Sequence, residues 1–165
     1  MTRWSERSRE EQALLNPAFC SLLLWWAARG YANVNLDGLS FEEAFLVLPM
    51  VLHRATRETL PRDTRTSLAV WISTNPLAQG RIATRSKALV TFTREGILFG
   101  GMQGAIQVQS GRLRPNDDWR RSISRSLRDT SDEVRLCARR AEFVGRWFAQ
   151  TGNGATVLAL IGVRP

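Results

Sequence analysis

At 165 residues, 44% hydrophobic and 23% charged, the chain has the size and make-up of one packed domain. Its formal net charge is +8, and every one of its 23 basic residues except Lys87 is arginine. No stretch reaches 18 uninterrupted apolar residues, and two distant cysteines with one histidine cannot build a standard zinc site, which argues against a membrane span and a structural zinc.

Residues 1–15 carry both charge signs, show no cleaved-signal pattern and are expected to form a flexible arm. A soluble, cytoplasmic protein is expected, with no membrane partner. "NPAFCSLLLWWAARG" then reads as a helix. Asn16 is placed to cap it, Pro17 fits the first turn, and Gly30 is the expected stop. Its apolar residues cover nearly every side, so it should be central or shared with a partner. Cys20 here and Cys137 later read as small buried hydrophobes.

"SFEEAFLVLP" begins a second helix, with Ser40 and Glu43 as a capping box and Phe41, Phe45, Leu48 and Leu52 at helical spacing. Pro49 should kink or restart it. Three helices are expected next: Thr64–Thr74 with Leu68, Trp71 and Ile72 inward, then 76–86, then 88–99 with Gly100 and Gly101 as the stop. "AIQVQ-SG-RLRP" reads as a hairpin. Three short helices and a hairpin follow the order of a winged helix, here over 64–115.

Residues 114–130 are arginine-rich, with Trp119, Ile123 and Leu127 spaced for a weak amphipathic helix or else a loop. A long helix follows "SDEV" and ends at Gly152. "ATVLALIGV" is expected to be a buried strand that joins the hairpin. The expected fold is therefore α+β and mostly helical: one domain over 1–165, with a winged-helix-like core and a C-terminal helix and strand over 131–165.

No phosphate loop and no nucleophile elbow occur. "FGGMQG" does not match the dinucleotide pattern. His53, the only histidine, has Arg57 one turn away, a cation that favours the neutral ring. A structural or interface role is expected for it rather than catalysis. No catalytic residue, metal or cofactor is expected. The third helix of the winged-helix-like unit offers Arg94 and threonines among apolar residues, a poor base-reading surface better suited to protein. Arg112, Arg114, Arg120, Arg121, Arg125 and Arg128 cluster in sequence and are candidates for phosphates or an acidic partner. Trp4, Trp25, Trp26, His53, Arg57 and Arg94 are candidates for a protein interface, where tryptophan and arginine are enriched.

Six segments in order resemble one family: "NPAFCSLLL", "FLVLPMVLHRATRETLP", "STNP", "FTREGILFG", "GRLRP" and "LIGVRP". Together they resemble the middle component of three-component ABC systems, including the small subunit of Lamassu-type antiphage systems. The resemblance spans nearly the whole chain and departs from the family pattern at Arg54 and Gly96. It implies a non-enzymatic adaptor that links an SMC-like ABC ATPase to an effector such as a nuclease, with DNA contact inside the complex. A free-standing winged-helix DNA-binding regulator is the alternative, and a small hydrolase using His53 is a third reading.

Overall fold

The computed structural model describes residues 15–163. These form nine α-helices, one 3-10 turn and a small antiparallel sheet, so the α+β, mostly helical class holds. Helix α1 (Pro17–Ala32) is the central rod. The Asn16 side chain accepts from the Ala18 amide at 2.8 Å, and Pro17 occupies the first turn, as expected. Gly30 is not a stop. The helix runs past it, and Gly30 lies buried where the backbone of a second helix crosses. That second helix is α8 (Asp132–Thr151), capped by Ser131 and ended by Gly152 at φ 126°.

Strand β1 (Leu39–Ser40) leads into α2 (Phe41–Leu52). The capping box forms: Ser40 Oγ accepts from the Glu43 amide at 3.2 Å, and Glu43 Oε2 accepts from the Ser40 amide at 2.9 Å. Pro49 is buried inside α2, and the chain breaks four residues later at His53, which ends α2 and starts α3 (Arg54–Thr59). The inward face of α2 is Glu43, Ala44 and Leu46 to Val51, so Phe41 and Phe45 face outward instead of into the core.

Helices α4 (Leu68–Thr74), α5 (Pro76–Ala88) and α6 (Val90–Met102) fall within a few residues of expectation, and Leu68, Trp71 and Ile72 are buried. Helix α6 continues through Gly100 and Gly101. It packs on α1 because a Cβ at Gly96 would lie 2.9 Å from Cys20 Cβ, and one at Gly100 would lie 2.5 Å from Ser21 Oγ. The hairpin β2 (Ile106–Gln109) and β3 (Arg112–Pro115) turns through Ser110 and Gly111, both at positive φ, which suits the twist of paired strands.

The third strand of the sheet is β1, which pairs Leu39 with Leu113 and Ser40 with Arg112, giving the order β1-β3-β2. The C-terminal run is not a strand. Residues Gly154–Ile161 form helix α9, capped by Asn153 through the Thr156 amide and closed by Gly162 at φ 77°. Val157, Leu158 and Ile161 face the core at helical spacing. The helix–helix–helix–hairpin order is present, but α6 packs its small-residue face into the core and the sheet recruits a strand from outside 64–115. A winged helix is not established.

A 3-10 turn (Asp117–Trp119) and α7 (Arg120–Arg128) cover α1 and α8 through Ile123, Leu127 and Trp119. Buried tryptophans tie loops to this core. Trp71 donates to Thr59 O at 2.7 Å, Trp147 to Thr66 O at 2.7 Å and Trp25 to Asn116 O at 3.2 Å. Both cysteines are buried.

Candidate interaction surfaces

The residues expected at an interface separate into core and surface groups. Trp25 belongs to the core: it is fully buried, edge-on to Trp26 at 5.0 Å, with its indole N–H on a loop carbonyl. Its neighbour Trp26 is only half-buried, so Trp25 is the more inward of the two. Arg57 is also withdrawn from the surface. It is 2% exposed, donates to Val51 O at 2.7 Å and pairs with Glu133. Trp4 lies outside the described residues.

His53 is half-buried between α2 and α3. The Thr56 amide donates to its Nδ1 at 3.2 Å, and the Thr56 hydroxyl lies 2.7 Å from the same atom. The ring thus caps α3, a task that requires an unprotonated Nδ1. Its pKa is held below the usual value, first by burial and then by the cations Arg85, Arg81 and Arg57. As pH falls, the unfolded chain takes up this proton first. The stability that His53 contributes is therefore complete above the ordinary pKa of 6.5 and is lost as pH drops through the lower folded-state value. The chain has one histidine, so its ring C–H resonance is unambiguous by NMR. The expected titration midpoint of the folded protein is below 6.5; a midpoint at or above it would contradict the cap.

The arginines of the hairpin and α7 occupy two places. Arg112 is half-buried and donates to Gly38 O at 3.0 Å, which holds the turn before β1. It also lies close enough to Tyr31 and Glu43 to act on their ionisation. Glu43 is fully buried, and burial pushes its carboxyl pKa up. Arg114 is exposed beside Gly38. Arg120, Arg121, Arg125 and Arg128 are exposed along α7. Arg128 and Trp26 both line a cleft of about 220 Å³ between α1, α7 and α8, so the structure brings one predicted arginine and one predicted tryptophan to the same cleft.

Arg94 lies elsewhere, on a groove of about 300 Å³ between the start of α2, α5, α6 and α9. Phe41 and Phe45 form its wall as a T-shaped pair with centroids 5.2 Å apart, and Phe41 is 37% exposed. Val90, Leu158 and Val163 complete the apolar surface, and Lys87 stands beside Arg94 at the edge. The sequence signal for it was the i, i+4 pair Phe41 and Phe45, which periodicity alone assigns to the core. A second concavity shares Glu42, Leu158 and Val163 with the first and extends to Arg112.

Among the described residues, no group of three or more histidine, cysteine or acidic side chains could hold a metal ion. No helix there is long and apolar enough to cross a membrane. The family model for the ABC-three component (ABC-3C) system Middle Component 3 matches residues 4–165. The chain belongs to this family. No curated protein and no solved structure matches it. The Middle Component 3 match runs through every surface described above, from α1 to α9, so the grooves and the arginine face are parts of the family unit and not of an appended segment.

Proposed function

We propose that this chain is the non-enzymatic adaptor of its three-component ABC system. It links an SMC-like ABC ATPase to an effector such as a nuclease, in the manner of the small subunit of Lamassu-type antiphage systems, and works in the cytoplasm. The observation that carries this reading is the Middle Component 3 match over residues 4–165. The residue chemistry supports it. The lone histidine caps a helix, the buried glutamate closes a capping box, and both thiols are buried. Exposed apolar side chains such as Leu77, Leu98 and Met102 offer partner area.

Co-expression with the ATPase and effector of its own system tests the reading. The expected result is a complex containing all three chains, with ATP and nucleic-acid hydrolysis absent from the isolated adaptor. Hydrolysis by the isolated chain, or no association with either partner, would overturn it.

The exposed arginines of α7 favour a second role, contact with DNA phosphates, either inside the complex or as a free-standing regulator. Duplex binding by the isolated chain with a steep salt dependence would support the regulator. Absence of binding at low salt removes it.

A further inference from the structure

The groove beside Arg94 has a chemistry that the arginine face of α7 lacks. Its floor is apolar and aromatic, from Phe41, Phe45, Val90 and Leu158. Its edge is cationic: Lys87 and Arg94 are both exposed, and among the described residues neither makes an ion pair. The adjoining concavity adds Arg112, against the single carboxylate of Glu42 that both concavities share. Among the described residues, the trough therefore presents three cations and one anion around an apolar strip. Phe41 and Phe45 sit on the solvent side of α2 while eight other residues of that helix are buried, so the pair is not needed to seat α2 in the core.

We propose that this trough docks an acidic, amphipathic segment of a protein partner, one that places apolar side chains on the Phe41–Phe45 wall and carboxylates against Lys87 and Arg94. The inference rests on the adaptor reading and names one of its contact sites. Burial of apolar area supplies the attraction, and the cationic edge selects an acidic segment and speeds its approach. A helix laid in a groove matches the geometry, since apolar side chains at i, i+3 and i+4 would reach one strip while acids between them face the edge. Nucleic acid fits this site less well, because a phosphate backbone gains nothing from an aliphatic floor.

The test compares four forms of the full chain, each co-expressed with the other two components of its system: wild type, Lys87→Glu/Arg94→Glu, Phe41→Asp, and Arg62→Glu/Arg146→Glu as a charge-matched control. Arg62 and Arg146 are exposed and lie outside the trough. Thermal melts establish that each form is folded. Both trough variants are expected to weaken association with one partner by about tenfold or more, with the control within about twofold of wild type. Added salt is expected to weaken wild type more than Lys87→Glu/Arg94→Glu.

Undiminished association of the folded trough variants would overturn the trough and leave the adaptor reading standing. Absence of any complex with wild type would overturn both. Light scattering that shows a dimer of the isolated chain, dissociated by Phe41→Asp, would identify a second copy as the occupant and overturn an acidic partner. Duplex binding by wild type that is lost only in Lys87→Glu/Arg94→Glu would assign the site to nucleic acid, with the same consequence.

Discussion

Gly145→Ala is expected to destabilise the protein by on the order of 3 kcal/mol, since it forces a methyl group into a filled contact. For a chain of this size that corresponds to a fall in Tm of roughly 6–12 °C. The sign is opposite to the ordinary one. Inside a helix, replacing glycine by alanine normally adds about 0.5–1 kcal/mol of stability. Here the new Cβ would lie 1.9 Å from Ala27 O, 2.7 Å from Ala27 C and 2.9 Å from Tyr31 N. All three are backbone atoms of α1, so no side chain can rotate away and the two helices must separate. The contact is reciprocal: a Cβ at Gly30 of α1 would lie 2.0 Å from Glu142 O of α8.

Separation would loosen the core built on this crossing, including Phe148, Val144 and Leu24, all fully buried. Gly80→Ala is the matched control. Gly80 lies within α5, and nothing stands within 4 Å of its added Cβ. There the ordinary gain of about 0.5–1 kcal/mol is expected. Thermal melts of the two variants should move in opposite directions, and a Gly145→Ala protein as stable as wild type would refute the close crossing.

Arg57→Ala is expected to cost about 2–4 kcal/mol, through a carbonyl left unpaired and the cavity left by a long side chain. The break at His53 ends α2 at Leu52, so Val51 O loses the amide that a continuing helix would supply. Arg57 replaces it, with Nη1 donating to Val51 O at 2.7 Å from a fully enclosed position. The Cys137 thiol, 3.9 Å from the same oxygen, is a weak second donor. The other end of the guanidinium reaches Glu133, whose side chain is 59% exposed. Glu133→Gln keeps an acceptor there and water can share it, so a loss under about 1 kcal/mol is expected. Chemical denaturation of the two variants separates the roles. Equal losses would show that the ion pair to α8, and not the capped carbonyl at the end of α2, carries the contribution of Arg57.

Local signals were readable wherever one helical turn contains the whole interaction. Asn16 with Pro17, Ser40 with Glu43, and Ser131 followed by acids each complete a cap within four residues. The hairpin was equally plain, because two adjacent residues at positive φ make its turn. The C-terminal run misled for a related reason. Thr156, Val157 and Ile161 favour a strand by side-chain shape, while Asn153 and Gly162, the cap and stop that define α9, lie at its margins. The strand that does complete the sheet, Leu39–Ser40, has two residues and too little pattern to read.

The sites divide in the same way. The exposed arginines of α7 follow from composition, since a segment with only Trp119, Ile123 and Leu127 as anchors can bury one face. Trp25 and Arg57 look like interface residues in sequence, and both are buried, because a loop carbonyl at Asn116 and a helix end at Val51 come to meet them from distant parts of the chain. The sequence was enough to establish the family, the mostly helical class and most helix starts, since these depend on residues within a turn of one another or on ordered motifs. Folding in three dimensions settled the rest. Gly30 and Gly145 become a helix crossing only when α1 meets α8, and Phe41, Lys87 and Leu158 become one groove only when four elements close around it.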